Sequence, residues 1–477
     1  MNDGETLSSA QLDRAAGTML GLATGDALGA GYEFGTPPTG DAEMIGGGLG
    51  PWAPGEWTDD TQQAICIAEV AATGSLSPPT VGDRLLGWYR EGQKDVGNQT
   101  RAVLSVARDG DDLSAVSATH LAAHPRNAAG NGSLMRTAPV ALAHLGDDRA
   151  IVRAATDISA LTHADPVAVE ACVLWCIAID RAVREQRLDG IHDGLALLDG
   201  EGRQRWEAWL HQAEEQAPES FKPNGYVVSA LQAAWSAIMH TPVPSDQPCR
   251  HFQDALHAAV RIGDDTDTVA AIAGGLLGAR WGATAVPLRW RTLLHGWPGL
   301  RAQDLVRLGI LAARTGEDDD IGWPSAQDLR AQYLERWRVE PFAIALPDDP
   351  GVVLGNAASA VDATTDVMVS LCRMGRTSPK GVDEHHELIM MDKHDTGENP
   401  NLDFLLRDTA DAIAGWRGEG RAVFVHCVAG ISRTPTVAAA YLADRLGISG
   451  PEALERIRSV HFDANPNPAF LDALARF

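Results

Sequence analysis

From residue 10 to residue 320 the apolar positions recur three and four apart, the period of a helix with one buried face. RAAGTMLGLATGDALGA, TQQAICIAEVAATG, DPVAVEACVLWCIAIDRAV, GYVVSALQAAWSAI and DTVAAIAGGLLGARWG all fit it, and strand-like alternation is scarce. Glycine and alanine fill many positions where stronger helix formers would serve. Glycine inside a helix costs about 1 kcal/mol against alanine, so its abundance points to helices that approach one another closely. The pattern predicts an all-α domain over residues 10–320.

Further along, the pattern changes. The short β-prone runs GVVLGN, DVMVSLCRM, ELIMMD and AVFVHC alternate with helical stretches such as LDFLLRDTADAIAGW. That alternation predicts a small α/β domain with a mainly parallel sheet over residues 345–477. Residues 321–344 are charged and proline-bearing, and read as a linker with one amphipathic helix.

Composition adds bounds. A length of 477 residues suits two or three domains, and 45% apolar with 22% charged residues is ordinary for globular protein. The net charge of −25 argues against nucleic acid or an anionic membrane as a partner. The six cysteines form no CxxC pair, and Cys172 and Cys176 sit inside an apolar helical run as core residues. The start, MNDGETLSSAQLDR, is acidic rather than signal-like, and the longest apolar run, VAAIAGGLLGA, is too short to span a bilayer. A reducing, cytoplasmic location is expected.

Near the C-terminus, AVFVHC reads as a buried strand and SRTPTVAAAYLADRLG as a helix, joined by the turn CVAGISR. A thiol at Cys427 there faces the positive end of a helix and several free backbone N–H groups, which favour its thiolate. The same N–H groups suit phosphate oxygens. Arg433 offers a planar fork for two of them, and Gly430 lets the backbone pass close to the anion. Nucleophile and oxyanion clamp thus fall in one short loop. A buried filler cysteine is the bland alternative, but HCxxGxxRT between strand and helix is a far more specific string.

This string resembles the protein tyrosine phosphatase signature, and the short domain resembles the dual-specificity branch, including the late NPNPAF element at 465–470. The resemblance implies a phosphocysteine intermediate on Cys427, with Thr434 assisting its breakdown and His426 holding the loop in shape. It also implies an upstream aspartic acid. Asp392 and Asp395 both lie in MMDKHDTGENPNLDF, and the DT…NL context favours Asp395. The substrate-facing loop residues are Val428, Ala429, Gly430, Ile431 and Ser432. None is basic, which fits a phosphorylated protein or a modestly charged small molecule better than an inositol phosphate.

In the helical domain four segments stand out: GDALGAGYEF, GEWTDDTQQA, GNGSLMRTAPVAL and GDDTDTVAAIAGG. Asp and Thr at a helix start are good caps. Capping needs one such residue, however, and TDDT and DDTDT supply several carboxylates that repel unless a cation lies between them. Thr58, Asp59 and Asp60, with Asp265, Asp267 and Thr268, read as a cage of hard oxygen ligands suited to magnesium, calcium or manganese.

Together, in this order, the four segments resemble the ADP-ribosylglycohydrolases, including the dinitrogenase-reductase-activating type. That resemblance implies an all-α domain with two magnesium ions (Mg2+) in a cleft, held by those six residues with Glu33 nearby. It implies cleavage of the bond between C1″ of ADP-ribose and an acceptor side chain. Asn131, Gly132, Ser133 and Met135 of the GNGSLMR loop would cradle the diphosphate, and His163 of LTHADP takes the position of a ligand-contacting histidine; a helix-end capping histidine is the plainer reading. Asp59, Asp60 and Glu33 are all candidates to position the attacking water. One departure is Asp264, where the family commonly has a second glycine.

The expectation is a bifunctional hydrolase acting on ADP-ribosylated and phosphorylated proteins or small molecules. The alternatives are a non-catalytic ADP-ribose-binding module that targets an active phosphatase, and acidic clusters that are structural calcium sites; the absence of an EF-hand loop speaks against the latter.

Overall fold

The computed structural model describes residues 6–377 and 379–477. The chain divides into two compact units. One comprises Gln11–Val286 and Trp290–Glu317, and the other Met1–Ala10, Pro287–Arg289 and Asp318–Phe477. No helix among the described residues is long and apolar enough to cross a membrane.

The first unit is helical, apart from a two-stranded antiparallel pair, His295–Gly296 with Leu300–Arg301. Its centre is the contact between helix Ser9–Gly29 and helix Thr266–Trp281, both buried along nearly their whole lengths. A β-carbon on Gly17 would lie 2.3 Å from the Gly278 carbonyl oxygen, one on Gly21 2.3 Å from that of Gly274, and one on Gly25 1.9 Å from that of Ala270. As the first set of numbers rises the second falls, so the helices run antiparallel, backbone on backbone. This is the return expected for the glycine cost: each missing side chain admits a carbonyl that no other residue would tolerate. Helices Pro166–Glu185 and Val227–His240 pack around this pair, and the Trp175 indole N–H donates to the Ile272 carbonyl at 3.2 Å. Cys172 and Cys176 lie buried as free thiols.

The second unit is built on a five-stranded sheet in the order Ala343–Leu346, Asp349–Asn356, Val423–Cys427, Val367–Ser370, Glu384–Glu387. Only the first pair is antiparallel. Helices Leu402–Gly418 and Arg433–Leu446 share a core with the strands through Leu405, Ile413, Val437 and Tyr441 against Val352, Val369 and Val425. The segment read as a linker contains helix Arg330–Trp337, and this helix belongs to the second unit. Its Tyr333 hydroxyl donates to the Arg373 carbonyl at 2.7 Å, and nearby Trp323 donates to Glu387 at 3.0 Å.

Two strand readings need correction. ELIMMD is not a strand: the observed strand, Glu384–Glu387, ends as that run begins. DVMVSLCRM is a strand only over Val367–Ser370. The reason is Arg433, whose Nη1 donates to the carbonyls of Leu371 at 2.6 Å and Met390 at 3.0 Å. Carbonyls that would have continued the ladder instead hold a guanidinium.

Candidate active sites

The antiparallel glycine contact brings the end of helix Ser9–Gly29 to the start of helix Thr266–Trp281, where a β-carbon on Gly29 would lie 2.5 Å from the Asp267 Cα. Asp26 therefore meets Asp267 and the N-terminus of helix Asp59–Ala71. Its carboxylate accepts from the backbone N–H groups of Thr58 at 2.9 Å and Thr61 at 3.0 Å, and from the Thr61 hydroxyl at 2.5 Å. The cap of that helix is thus supplied by another helix. Thr58, freed from capping, places its hydroxyl 3.2 Å from Asp60 Oδ2 and 3.4 Å from Asp267 Oδ2.

Carboxylate oxygens of Asp26, Asp60 and Asp267 lie within 4.8 Å of one another, and so do those of Glu33, Asp265 and Asp267. Asp267 belongs to both groups, so the two adjoin. Glu33 Oε2, Asp60 Oδ1 and Asp267 Oδ1 are buried with no hydrogen-bond partner. Burial, then the charges of Asp265, Asp95, Asp59 and Asp26, push Glu33 up to about 8. Burial pushes Asp26 up to about 6, and burial with neighbouring carboxylates holds Asp59, Asp60 and Asp267 well above the ordinary carboxylate range. Orphaned, mutually repelling, all-oxygen donors of this kind fit hard divalent cations.

The cage opens on a cavity of about 420 Å³. Glu33, Asp59, Asp265, Asp267, Thr268, Asn131, Gly132, Met135 and His163 all line it. Two residues of the GNGSLMR loop behave differently from the sequence expectation. Ser133 faces the core, where the Ser159 hydroxyl donates to it at 2.9 Å. Asn131 donates its amide to Asp265 Oδ2 at 2.8 Å, so it holds a carboxylate of the cage. His163 is 2% exposed, and burial, then the charge of Arg136, lower it to about 3: it is a neutral ring. Its Nδ1 is 2.8 Å from the Thr162 hydroxyl, and the residue lines the cavity. The extra carboxylate of Asp264 accepts from the Asn224 N–H at 2.8 Å, and Asn224 in turn accepts from the Asp265 N–H at 2.9 Å.

Sequence reasoning missed several residues here. Asp26 lies inside the quoted GDALGAGYEF segment, and Arg136 ends GNGSLMR, so both had a motif to flag them. Asp95 and Gln99 line the cavity from a short loop and helix with no such mark.

In the second unit, strand Val423–Cys427 is buried throughout and delivers Cys427 to the loop. The Gly430 N–H donates to Cys427 Sγ at 3.2 Å. Gly430 has φ +77, and a β-carbon there would meet Phe342 at 2.4 Å and the Gly355 carbonyl oxygen at 2.7 Å, so the turn needs glycine on both counts. Arg433 is held from behind by the two carbonyls described above, while its Nε has no hydrogen-bond partner. His426 is fully buried and burial lowers it to about 4; its Nε2 lies 2.7 Å from the Ser370 hydroxyl. Thr434 is buried beneath the loop, its hydroxyl 3.5 Å from the Gly355 carbonyl. Of the variable loop residues, Ile431 is exposed, Val428 and Ala429 are half-buried, and Ser432 is buried. The NPNPAF element packs on this loop: the Asn465 N–H donates to the Ile431 carbonyl at 2.8 Å and the Asn467 N–H to the Ser432 hydroxyl at 3.3 Å.

The two candidate acids differ. Asp392 Oδ1 accepts from Ser432 Oγ at 2.8 Å and from Asn467 Nδ2 at 2.9 Å, and Oδ2 lies 3.8 Å from Arg433 Nε. Asp395 is exposed and accepts from the N–H of Gly397 at 2.9 Å, capping its own short turn. The structure brings Asp392, and not Asp395, against the cysteine loop.

Residues 7–320 match the family model described as ADP-ribosylglycohydrolase, and residues 356–477 match that of the dual specificity phosphatase catalytic domain. An ADP-ribosylarginine hydrolase, Tri1, of Pseudomonas putida (strain GB-1) is 33% identical over 293 residues, which is 58% of this chain and 73% of that protein. The ADP-ribosyl-[dinitrogen reductase] glycohydrolase of Rhodospirillum rubrum is 30% identical over 298 residues, 59% of this chain and 90% of that protein. The dual specificity protein phosphatase 15 of Rattus norvegicus is 31% identical over 138 residues, 27% of this chain and 55% of that protein, so the match spans about half of the phosphatase.

Proposed function

Since the chain belongs to the ADP-ribosylglycohydrolase family and ends in a dual-specificity-phosphatase-like domain, we propose that it is a bifunctional hydrolase. The helical unit removes ADP-ribose from a modified acceptor with the help of magnesium, and the α/β unit hydrolyses phosphate monoesters through Cys427. The name of one relative, an ADP-ribosylarginine hydrolase, favours an arginine linkage for the first activity.

The observation that carries the first half is the pair of carboxylate groups joined at Asp267, with three orphaned oxygens facing inward. Thr58, Asp59, Asp60, Asp265, Asp267 and Thr268, with Asp26, are the residues to hold magnesium there. Bound magnesium supplies Lewis acidity toward sugar hydroxyls and makes a bound water more acidic. The chain's own residues do the rest. The cavity wall orients the sugar for an oxocarbenium-like transition state, and Asp59 or Glu33 positions the water. Three free carboxylate oxygens suit this role better than that of a bare ADP-ribose reader, whose pocket needs no cluster of uncompensated charge. Incubating an ADP-ribosylarginine protein with the full chain and magnesium chloride tests this. ADP-ribose should be released, and the double variant Asp59→Ala/Asp60→Ala should release none. Binding without release by the wild-type chain would favour the reader.

The second half rests on the Gly430 N–H directed at Cys427 Sγ, with Arg433 clamped alongside. The sulfur attacks phosphorus, the bond to the leaving oxygen breaks, and an aspartic acid protonates that oxygen. Arg433 Nε and the loop N–H groups hold the phosphoryl oxygens. Water then cleaves the phosphocysteine, with Thr434 beneath the loop. The substrate is a phosphorylated protein or a modestly charged small molecule, since no variable loop residue is basic. Cys427→Ser should abolish phosphate release from p-nitrophenyl phosphate and from a phosphotyrosine peptide; turnover that survives it would rule out the thiolate route.

A further inference from the structure

A buried chain of hydrogen bonds runs behind the helical unit's cavity, and its donors leave little freedom in how it is wired. Arg136 is completely buried. Its Nη1 donates to Gln63 Oε1 at 2.5 Å and its Nη2 to Thr162 Oγ1 at 2.6 Å. A guanidinium only donates. The Gln63 amide is therefore fixed with its Nε2 toward Asp59 Oδ2, 2.8 Å away. Thr162 Oγ1 must use its own proton elsewhere, and His163 Nδ1, at 2.8 Å, is the acceptor within reach among the described residues. With Nδ1 accepting, the proton of the neutral ring sits on Nε2.

Gln99 is wired in the same way. Its Nε2 donates to the carbonyls of Ala128 and Thr162, both at 3.0 Å, and its Oε1 is left buried without a partner. A β-carbon built on Gly130 would lie 3.5 Å from His163 Nε2 and 3.6 Å from Gln99 Oε1. A fixed donor and a fixed acceptor therefore stand together on the cavity wall, on the side of Gly130 where a side chain would project. A hydroxyl reaching both accepts from the first and donates to the second. A phosphate oxygen has no proton for Gln99 and would face its oxygen unfavourably.

We propose that Arg136 and Thr162 lock His163 as the Nε2–H tautomer, and that His163 and Gln99 together bind a sugar hydroxyl, rather than the diphosphate, beside Gly130. The hydroxyl assignment rests on the ADP-ribose reading of the cavity; the tautomer does not. Arg136 and Thr162 are positioning residues.

The test uses the full chain labelled with 15N-histidine, with His163→Gln to assign the resonance. Long-range proton–nitrogen correlations should show His163 protonated on Nε2, and Thr162→Val should move proton density to Nδ1. Calorimetry in magnesium chloride then compares ADP-ribose with inorganic pyrophosphate. Thr162→Val and Gly130→Ala should each weaken ADP-ribose about tenfold, the scale of one lost hydrogen bond to a buried group, and leave pyrophosphate unchanged. Gly130 has φ −67, so the alanine there is unstrained, and its methyl, in contact with both groups, crowds the hydroxyl. A His163 pattern unchanged in Thr162→Val overturns the relay. Equal losses for pyrophosphate overturn the hydroxyl assignment. If the wild-type chain binds no ADP-ribose, the functional reading fails and the hydroxyl assignment with it, while the 15N pattern judges the relay by itself.

Discussion

Gly21 and Gly274 face each other so closely that a β-carbon on the first would lie 2.3 Å, and one on the second 2.1 Å, from the other's carbonyl oxygen. The obstruction is backbone in both cases, so no rotamer change relieves it. Gly21→Ala or Gly274→Ala should therefore destabilise the helical unit by at least about 1–3 kcal/mol, the usual range for overpacking. Because the same contact sets the register of Asp26 against Asp267, stabilisation by magnesium should shrink as well. Thermal unfolding with and without magnesium chloride reads both effects; variants that melt like the wild type would show that the helices do not approach as described.

The carboxylate cage makes stability depend on pH and cation together. Without cations, Glu33 is raised from 4.5 to about 8 and Asp26 from 3.8 to about 6, in each case by burial first. A raised folded-state value means the contribution is fully present below the unfolded value and is lost as pH rises through the folded one. The EDTA-treated chain should thus lose stability between about pH 5 and pH 8. Magnesium takes the ionised form, so the rise in Tm that it produces should grow over the same interval. A Tm in EDTA that climbs from pH 5 to pH 8 would contradict the cage.

Asp26 has two duties, as the cap of helix Asp59–Ala71 and as a neighbour of Asp60 and Asp267. Asp26→Asn keeps one acceptor oxygen for the cap but removes charge from the cage. Magnesium affinity should fall about tenfold or more, as for other groups that orient metal ligands, with a loss of about 1 kcal/mol in stability from the weakened cap. Titration with magnesium followed by calorimetry separates the two effects.

Much of this was legible in the sequence, and the misses share a cause. Periodicity places the helices, because each buries an apolar face, and it places the buried strand at Cys427, because all five of its residues are apolar or enclosed. Thr58, Asp59, Asp60, Asp265, Asp267 and Thr268 stood out as candidate ligands because several carboxylates at one helix start exceed what capping needs. Asp26 lay in a quoted motif, but a single aspartate within a helix gives no local hint that it caps a different helix. Arg136 likewise ended a motif, yet its role lies in partners 26 and 73 positions away along the chain. The strand ends at Ser370 and Glu387 were misread because Arg433, distant in sequence, takes the carbonyls that would have extended them.

Gly430 carries the sharpest local demand in the second unit. Alanine there would need both an unfavourable φ of +77 and the displacement of Phe342 and the Gly355 carbonyl. The Gly430 N–H would then no longer point at Cys427 Sγ. A misplacement of about 1 Å commonly costs about 100-fold in rate. Gly430→Ala should therefore lower kcat/KM for p-nitrophenyl phosphate by about that factor and leave release of ADP-ribose unchanged. Steady-state assays of both activities on one preparation check this.

The last question is which aspartate delivers the proton to the leaving oxygen. Asp392 already accepts from Ser432 and Asn467, and it flanks Arg433. With Oδ1 committed to Ser432 and Asn467, and Oδ2 beside Arg433, it is placed to brace the cysteine loop. Asp395 accepts one backbone N–H and stands exposed on a surface segment, free to turn toward a bound substrate. Protonation matters most for a poor leaving group, because p-nitrophenolate departs readily without help. Asp395→Asn should then lower kcat about 100-fold or more for an alkyl phosphate but only slightly for p-nitrophenyl phosphate. Asp392→Asn should lower both by similar factors, as loss of a brace would. If the leaving-group dependence appears in Asp392→Asn instead, the roles are exchanged: the aspartate already beside Arg433 is the acid, and the DT…NL context misleads.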